Sequence, residues 1–183
     1  GSTLLSAQTT TADSLAKAQK HHDDLMAIIM TQPKVPIKTI GIYVYDGYNT
    51  LDAIGPYQVL SELMSVDIFF VAKEKGMVKN QRGLKVLVDK SIADVKQLDI
   101  LVIPGGAIET FMQTQDTAVL NWIRRIDKTS KYTTSVCTGG WILGATGLLK
   151  GKNATTNWYR AEEFMQLYGA NFKPERYVQD GKY

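Results

Sequence analysis

Three short stretches carry residue types that could do chemistry together. Ser135-Val136-Cys137-Thr138-Gly139-Gly140 holds the single cysteine of the chain between an apolar run and a turn of small residues. A cysteine at such a strand-to-helix elbow faces outward over a helix N-terminus, where unpaired N–H groups and the helix dipole favour thiolate and lower its pKa. The plainer reading of a lone cysteine is a small buried hydrophobe. Pro104-Gly105-Gly106 follows a second apolar run. Consecutive glycines there either bring backbone N–H groups up to a developing negative charge or simply make a turn. Asp52 lies among Leu51, Ala53 and Ile54, an apolar setting that can keep a carboxyl protonated. A carboxylic acid facing a thiolate supplies a general acid and base. The alternative is an aspartate placed at a helix start by the dipole. Ala154-Thr155-Thr156-Asn157-Trp158 either lines the pocket or caps the next helix.

The elements that must position these residues follow from patterning. Ile37–Tyr45 (IKTIGIYVY), Val66–Ala72, Asp99–Ile103 and Tyr132–Val136 are β-branched or apolar runs and read as buried strands. Helices are expected from Gly55-Pro56 to Met64, over Thr117–Ile126, Thr138–Gly147 and Tyr159–Tyr168. Met77–Val88 suits a hairpin around Gln81-Arg82-Gly83, and Phe172–Tyr183 a second hairpin around Asp180-Gly181. Strands separated by helices imply a mostly parallel sheet covered on both faces. In such sheets sites form at the carboxyl ends of strands. That rule selects the loops Asp46–Asp52, Pro104–Ala107 and Cys137–Gly140, the ones that hold the reactive residues.

Composition narrows the function classes. With 183 residues and 44% of them hydrophobic, the chain can bury the core of one domain. Lys+Arg 21 against Asp+Glu 18 leaves +3, spread along the chain, which predicts no nucleic-acid footprint. One cysteine excludes an internal disulfide, and two histidines leave little for a zinc site, so no metal is expected. No apolar run approaches the roughly 18 residues of a membrane span.

Residues 1–36 read as an N-terminal tail and 37–183 as the domain. Gly1-Ser2 reads as a cloning remnant, and residues 3–13 as a flexible, Thr-rich lead-in. Leu5-Ser6-Ala7 fits either the end of a cleaved export signal or an ordinary polar tail, which leaves the compartment open between cytoplasm and periplasm. Leu15, Ala18, Leu25, Ile28 and Ile29 define one face of a helix over 14–30, closed by Pro33 and Pro36. His21 and His22 fall on that helix beside Asp23-Asp24, a solvated face. No histidine lies inside the domain to form a dyad with Cys137.

From about Ile40 to Tyr183 the chain resembles the ThiJ/PfpI superfamily of class I glutamine-amidotransferase-like proteins. Within it, the isonitrile hydratase branch looks nearest. The matching stretches are Leu51-Asp52-Ala53-Ile54-Gly55-Pro56, Ile103-Pro104-Gly105-Gly106, Thr134-Ser135-Val136-Cys137-Thr138-Gly139, Leu143–Leu149 and Ala154-Thr155-Thr156. The resemblance implies an α/β, flavodoxin-like three-layer sandwich, usually a homodimer, with Cys137 on a nucleophile elbow. It implies Cys137 as nucleophile, Asp52 as proton shuttle and Thr138 beside the thiol. Gly105 and Gly106 would serve as backbone donors, with Gly139 and Asn157 facing the substrate. The implied reaction hydrates a small isonitrile to an N-substituted formamide and needs no metal or organic cofactor. Two departures stand out. Asn157 replaces the histidine that often precedes the tryptophan, and the family usually continues through a Gly-rich segment and a long helix, whereas the sequence here ends at Tyr183. The protease and amidotransferase branches rely on a histidine where this chain has Thr138. A ligand-sensing module, or a stress protein whose exposed thiol senses oxidants, is the alternative.

Overall fold

The computed structural model describes residues 3–29 and 34–183, which fall into two compact units, Gly1–Pro36 and Ile37–Tyr183. Gly1-Ser2 lies outside the described residues, as do the expected helix end at Met30 and Pro33. The first unit contains α1 (Thr3–Ile29), a helix that starts eleven residues before the expected Ser14. The Thr-rich lead-in is therefore helical. No glycine or proline occurs between Thr3 and Ile29, so nothing in that stretch stops helix propagation.

The second unit is built on β1 (Thr39–Tyr43), β2 (Asp67–Ala72), β5 (Lys90–Ser91), β6 (Ile100–Ile103) and β7 (Tyr132–Ser135). They form one parallel sheet in the order β5-β2-β1-β6-β7. Ile40, Ile42, Leu101 and Ile103 are fully buried, as strands covered on both faces require. α2 (Thr50–Leu60) connects β1 to β2, while α3 (Ile108–Gln113) and α4 (Thr117–Asp127) connect β6 to β7. These two connections run in opposite directions across the sheet, so right-handed crossovers put their helices on opposite faces. The strand order reverses between β1 and β6, and their carboxyl ends open the crevice where α/β sheets place ligands.

α4 shows how strongly one sequence pattern fixes its element. Val119, Trp122, Ile123 and Ile126 fall on one face and are fully buried. Each such side chain contributes about 1.5–3 kcal/mol of burial. Asp116 caps the helix, accepting from Ala118 N at 3.1 Å and Val119 N at 3.3 Å. The remaining elements are the antiparallel hairpin β3 (Gly76–Lys79) and β4 (Lys85–Val88), then α5 (Gly139–Ala145), α6 (Ala161–Leu167), and the short parallel pair β8 (Asn153–Ala154) and β9 (Asn171–Phe172).

Two further expectations are corrected. α2 begins at Thr50 rather than at Gly55-Pro56, with Pro56 inside it. Its start is pinned from outside, because Asn49 N donates to Gly105 O at 2.7 Å and Tyr48 bridges to Gly106. The early start places Asp52 on the first turn. The C-terminal stretch is no hairpin of strands. β9 pairs with β8 instead, and Asp180 and Tyr183 close only a two-residue turn through Asp180 N to Tyr183 O (3.0 Å) and Tyr183 N to Asp180 O (3.2 Å). Lys182 O is taken up elsewhere, by Thr133 N of β7 at 3.0 Å.

Candidate active site

The carboxyl ends of β1, β6 and β7 bring Asp52, Gly105-Gly106 and Cys137 together. β7 stops at Ser135 and α5 starts at Gly139, so the elbow between them is only three residues long. Cys137 has φ +58°, in the left-handed region that a residue with a side chain avoids at a cost of roughly 1–2 kcal/mol. Its carbonyl is held by Thr156 Oγ1 at 2.9 Å and by Asn157 N at 3.3 Å, which helps fix this conformation. The thiol is half-buried.

Two donors and one acid surround the sulfur. Asn157 Nδ2 donates to Cys137 Sγ at 3.3 Å, and the Thr138 N–H also favours the thiolate. Asp52 faces the thiol from α2 and is only 6% exposed. Its Oδ1 accepts from Asn49 Nδ2 at 3.1 Å, while Oδ2 is buried with no partner in regular hydrogen-bond geometry. Burial pushes the Asp52 carboxyl above its ordinary value of 3.8, opposed in turn by Cys137, Asn49 and the Gly105 N–H. Burial and then the Asp52 charge likewise push the Cys137 thiol up from 9.0. The elbow was expected to lower that value. Desolvation and a neighbouring carboxylate outweigh the two N–H donors, and α5 is only seven residues long. The acid and thiol act as one coupled pair that resists carrying two negative charges.

The glycines hold the site together instead of opening it. Gly106 N donates to Thr138 Oγ1 at 3.0 Å, and Thr138 Oγ1 donates to Gly106 O at 3.0 Å. Gly139 N donates to Val136 O at 2.9 Å. The N–H of Gly106, expected as a donor to substrate, is thus engaged by Thr138 in this structure, and that of Gly139 by Val136. The Gly105 N–H is turned toward Asp52. A side chain at Gly105 would meet Thr138 Oγ1 at 2.5 Å, Thr138 N at 2.7 Å and Asp52 Oδ2 at 3.0 Å. One at Gly139 would run into the Ile103 carbonyl. Thr138 is thus a clasp between the two loops, and its hydroxyl is buried among them.

A cavity of about 600 Å³ opens beside the thiol, lined by Thr134, Cys137, Thr156, Asn157, Tyr177 and Tyr183 among others. His21 and His22 are exposed on α1, and no cluster of metal-ligating residues occurs among the described residues. No helix there is long and apolar enough to cross a membrane. Reading by residue type missed Tyr45 and Thr110, which hydrogen-bond to each other at 2.8 Å beneath the Gly105-Gly106 loop. Tyr45 lies just beyond a strand end, a usable signal. Thr110 carries none.

With this geometry, residues 38–183 match the DJ-1/PfpI family, and the chain belongs to it. The nearer likeness lies within that class. The chain is 37% identical over 143 residues to an isonitrile hydratase of Pseudomonas putida, covering 78% of this chain and 61% of the relative. It thus spans about three fifths of that protein's length. It is also 29% identical to the deglycase PfpI of Pyrococcus furiosus, over 60% of this chain and 66% of the relative. Among solved structures, a ThiJ/PfpI family protein from Pseudomonas syringae superposes with a TM-score of 0.77 at 32% identity, covering 84% of this chain and 64% of that one.

Proposed function

We propose that the site hydrates a small isonitrile to an N-substituted formamide, as a cysteine-dependent hydro-lyase without metal or organic cofactor. The observation that carries this reading is the buried Asp52 carboxyl facing the Cys137 thiol, two groups that burial pushes up together and that resist ionising together. The addition needs a nucleophile and an acid in opposite protonation states, and such a pair supplies both. The Asp52 carboxylate takes the proton of the Cys137 thiol as the sulfur forms the S–C bond to the terminal carbon of R–N≡C, and passes that proton to the same carbon, giving the thioimidate R–N=CH–S–Cys137. Asp52, again a carboxylate, takes a proton from water as the water oxygen adds to the same carbon, and hands it to the nitrogen. The hydroxyl proton then moves through Asp52 to the sulfur as the C–S bond breaks, which releases R–NH–CHO and restores the thiol. Asn157 and the Thr138 N–H stabilise the sulfur as it carries charge at either end of the cycle.

A homodimer belongs to this proposal, and light scattering on the purified protein checks it. The oxidant-sensor alternative calls for an acidic thiol, and the upward direction at Cys137 disfavours it. The decisive assay incubates the protein with a simple aliphatic or aromatic isonitrile and follows the formamide. Turnover should vanish in Cys137→Ala. Absence of formamide with the wild-type protein overturns the hydratase reading, and turnover that survives Cys137→Ala overturns the mechanism.

A further inference from the structure

The loop that faces the acid is held from beneath by two hydroxyls that the reaction does not use. Tyr45 Oη lies 3.1 Å from Pro104 O and 2.8 Å from Thr110 Oγ1, and Thr110 Oγ1 lies 3.4 Å from Thr138 Oγ1. Thr138 Oγ1 in turn donates to Gly106 O. Three hydroxyl protons serve four contacts, so the assignment is constrained. Tyr45 must donate to Pro104 O and Thr138 to Gly106 O, since those carbonyls only accept. The proton of Thr110 then goes to Tyr45 Oη, the shorter of its two contacts, and the 3.4 Å approach is left as a bare contact.

The Pro104–Gly105 peptide is trans and planar, so its C=O and N–H point to opposite sides. Tyr45 on the carbonyl side therefore directs the Gly105 N–H to the other side, where Asp52 lies. Glycine at 105 makes rotation of this peptide cheap, because both flanking conformations are open to it. Rotated over, the peptide would turn a carbonyl oxygen on the carboxyl in place of an N–H.

We propose that Tyr45, held by Thr110, is a positioning residue that fixes the Pro104–Gly105 peptide with its N–H aimed at the Asp52 carboxyl. It touches no reacting atom and acts through the peptide. The groups that bear on the acid are Cys137 from the elbow, Asn49 ahead of α2 and Tyr45 after β1, while Glu109 of α3 bears on Tyr45. Loss of the Tyr45 hydroxyl removes an N–H that favours the carboxylate, so Asp52 becomes a weaker acid.

The inference rests on the acid role proposed for Asp52, but its test needs no substrate. Label the aspartate carboxyls with ¹³C and titrate by NMR, using Asp52→Asn to assign the signal. In Tyr45→Phe the Asp52 titration should move upward by about 0.5–1 pH unit. Thr110→Val should move it less in the same direction, and Thr110→Ser, which keeps the hydroxyl, should leave it at the wild-type position. An unmoved Asp52 titration in folded Tyr45→Phe overturns the inference, whatever the isonitrile assay returns. Should that variant fail to fold, an unmoved titration in Thr110→Val overturns it equally.

Discussion

Two buried aspartates sit at opposite ends of the sheet and live differently. Asp127, at the end of α4, is saturated. Its Oδ1 accepts from Thr133 Oγ1 at 2.7 Å and pairs with Lys182 Nζ at 3.1 Å, and its Oδ2 accepts from Tyr183 Oη at 3.0 Å. Ser130 Oγ adds a contact to Thr133 Oγ1 at 2.8 Å. Asp52, similarly buried, has one regular hydrogen bond from Asn49 and a second oxygen that no partner meets in regular geometry. Tyr48 Oη and Glu109 Oε2, on the neighbouring loop and helix, are also buried without hydrogen-bond partners. Folding alone favours satisfying every buried polar atom. The Asp127 end meets that condition and ties the last residues of the chain to the edge strand β7. The Asp52 end leaves polar capacity open next to a strained cysteine, and that is the condition for moving a proton rather than holding a fold together.

The comparison breaks most visibly in activity. Cys137→Ala should abolish formamide production, and Asp52→Asn should lower kcat/KM about 10²–10⁴-fold with the melting temperature kept at or above that of the wild type. Asp127→Ala should do the reverse, with activity per folded molecule retained and stability lowered by about 3 kcal/mol, because Lys182, Thr133 and Tyr183 all lose their partner. Chemical denaturation beside a steady-state assay reads both numbers. If Asp52→Asn unfolds the protein while Asp127→Ala leaves it intact, the two roles have been exchanged.

Much of this was legible from residue type and order. The three loops at strand carboxyl ends could be chosen before any chemistry was considered, because strand–helix alternation dictates where an α/β sheet opens. What escaped was set by long-range contact. The α2 start depends on Asn49 N reaching Gly105 O, 56 residues away, and a local proline rule placed it five residues late. The hydroxyl Thr110 belongs to a six-residue helix that no periodic pattern announces. The sense of the Cys137 shift escaped for a related reason. Helix position argues for an acidic thiol, but burial and the facing carboxyl, both tertiary, decide the direction.

Stability against pH sharpens the contrast on the Asp52 side. A carboxyl whose folded pKa is raised binds its proton more tightly in the folded state than in the unfolded chain. Its stabilising share is complete below about 3.8 and is lost as the pH rises through the folded value. Asp52→Asn has no proton to lose, so its stability relative to wild type should climb across that window and then level. The thiol follows the same logic at higher pH, with stability complete below 9.0 and falling as Cys137 ionises. Iodoacetamide alkylation of the wild-type thiol should therefore titrate above 9.0, and Asp52→Asn should shift the curve downward by removing a repelling charge. A downward-shifted wild-type curve would contradict the coupled pair.

The smallest effect isolates the one side-chain donor on the sulfur. Asn157 Nδ2 approaches Sγ at 3.3 Å, while its Oδ1 accepts from Tyr159 N at 2.9 Å, so the amide is oriented by a second bond before it meets the thiol. A hydrogen bond to a group that becomes charged contributes on the order of 1 kcal/mol to the thiolate. Asn157→Ala should raise the thiol pKa and slow alkylation at fixed pH about fivefold. Asn157→Asp keeps the bond from Tyr159 N but turns a carboxylate on the sulfur, and should slow alkylation further. The Asp52 end then differs from the Asp127 end even in its weakest contact. At Asp127 each bond removed lowers stability, whereas at Cys137 removal of the Asn157 bond changes the protonation of the sulfur and leaves the fold standing. Equal alkylation rates in wild type and Asn157→Ala would mean that the Thr138 N–H alone governs the sulfur.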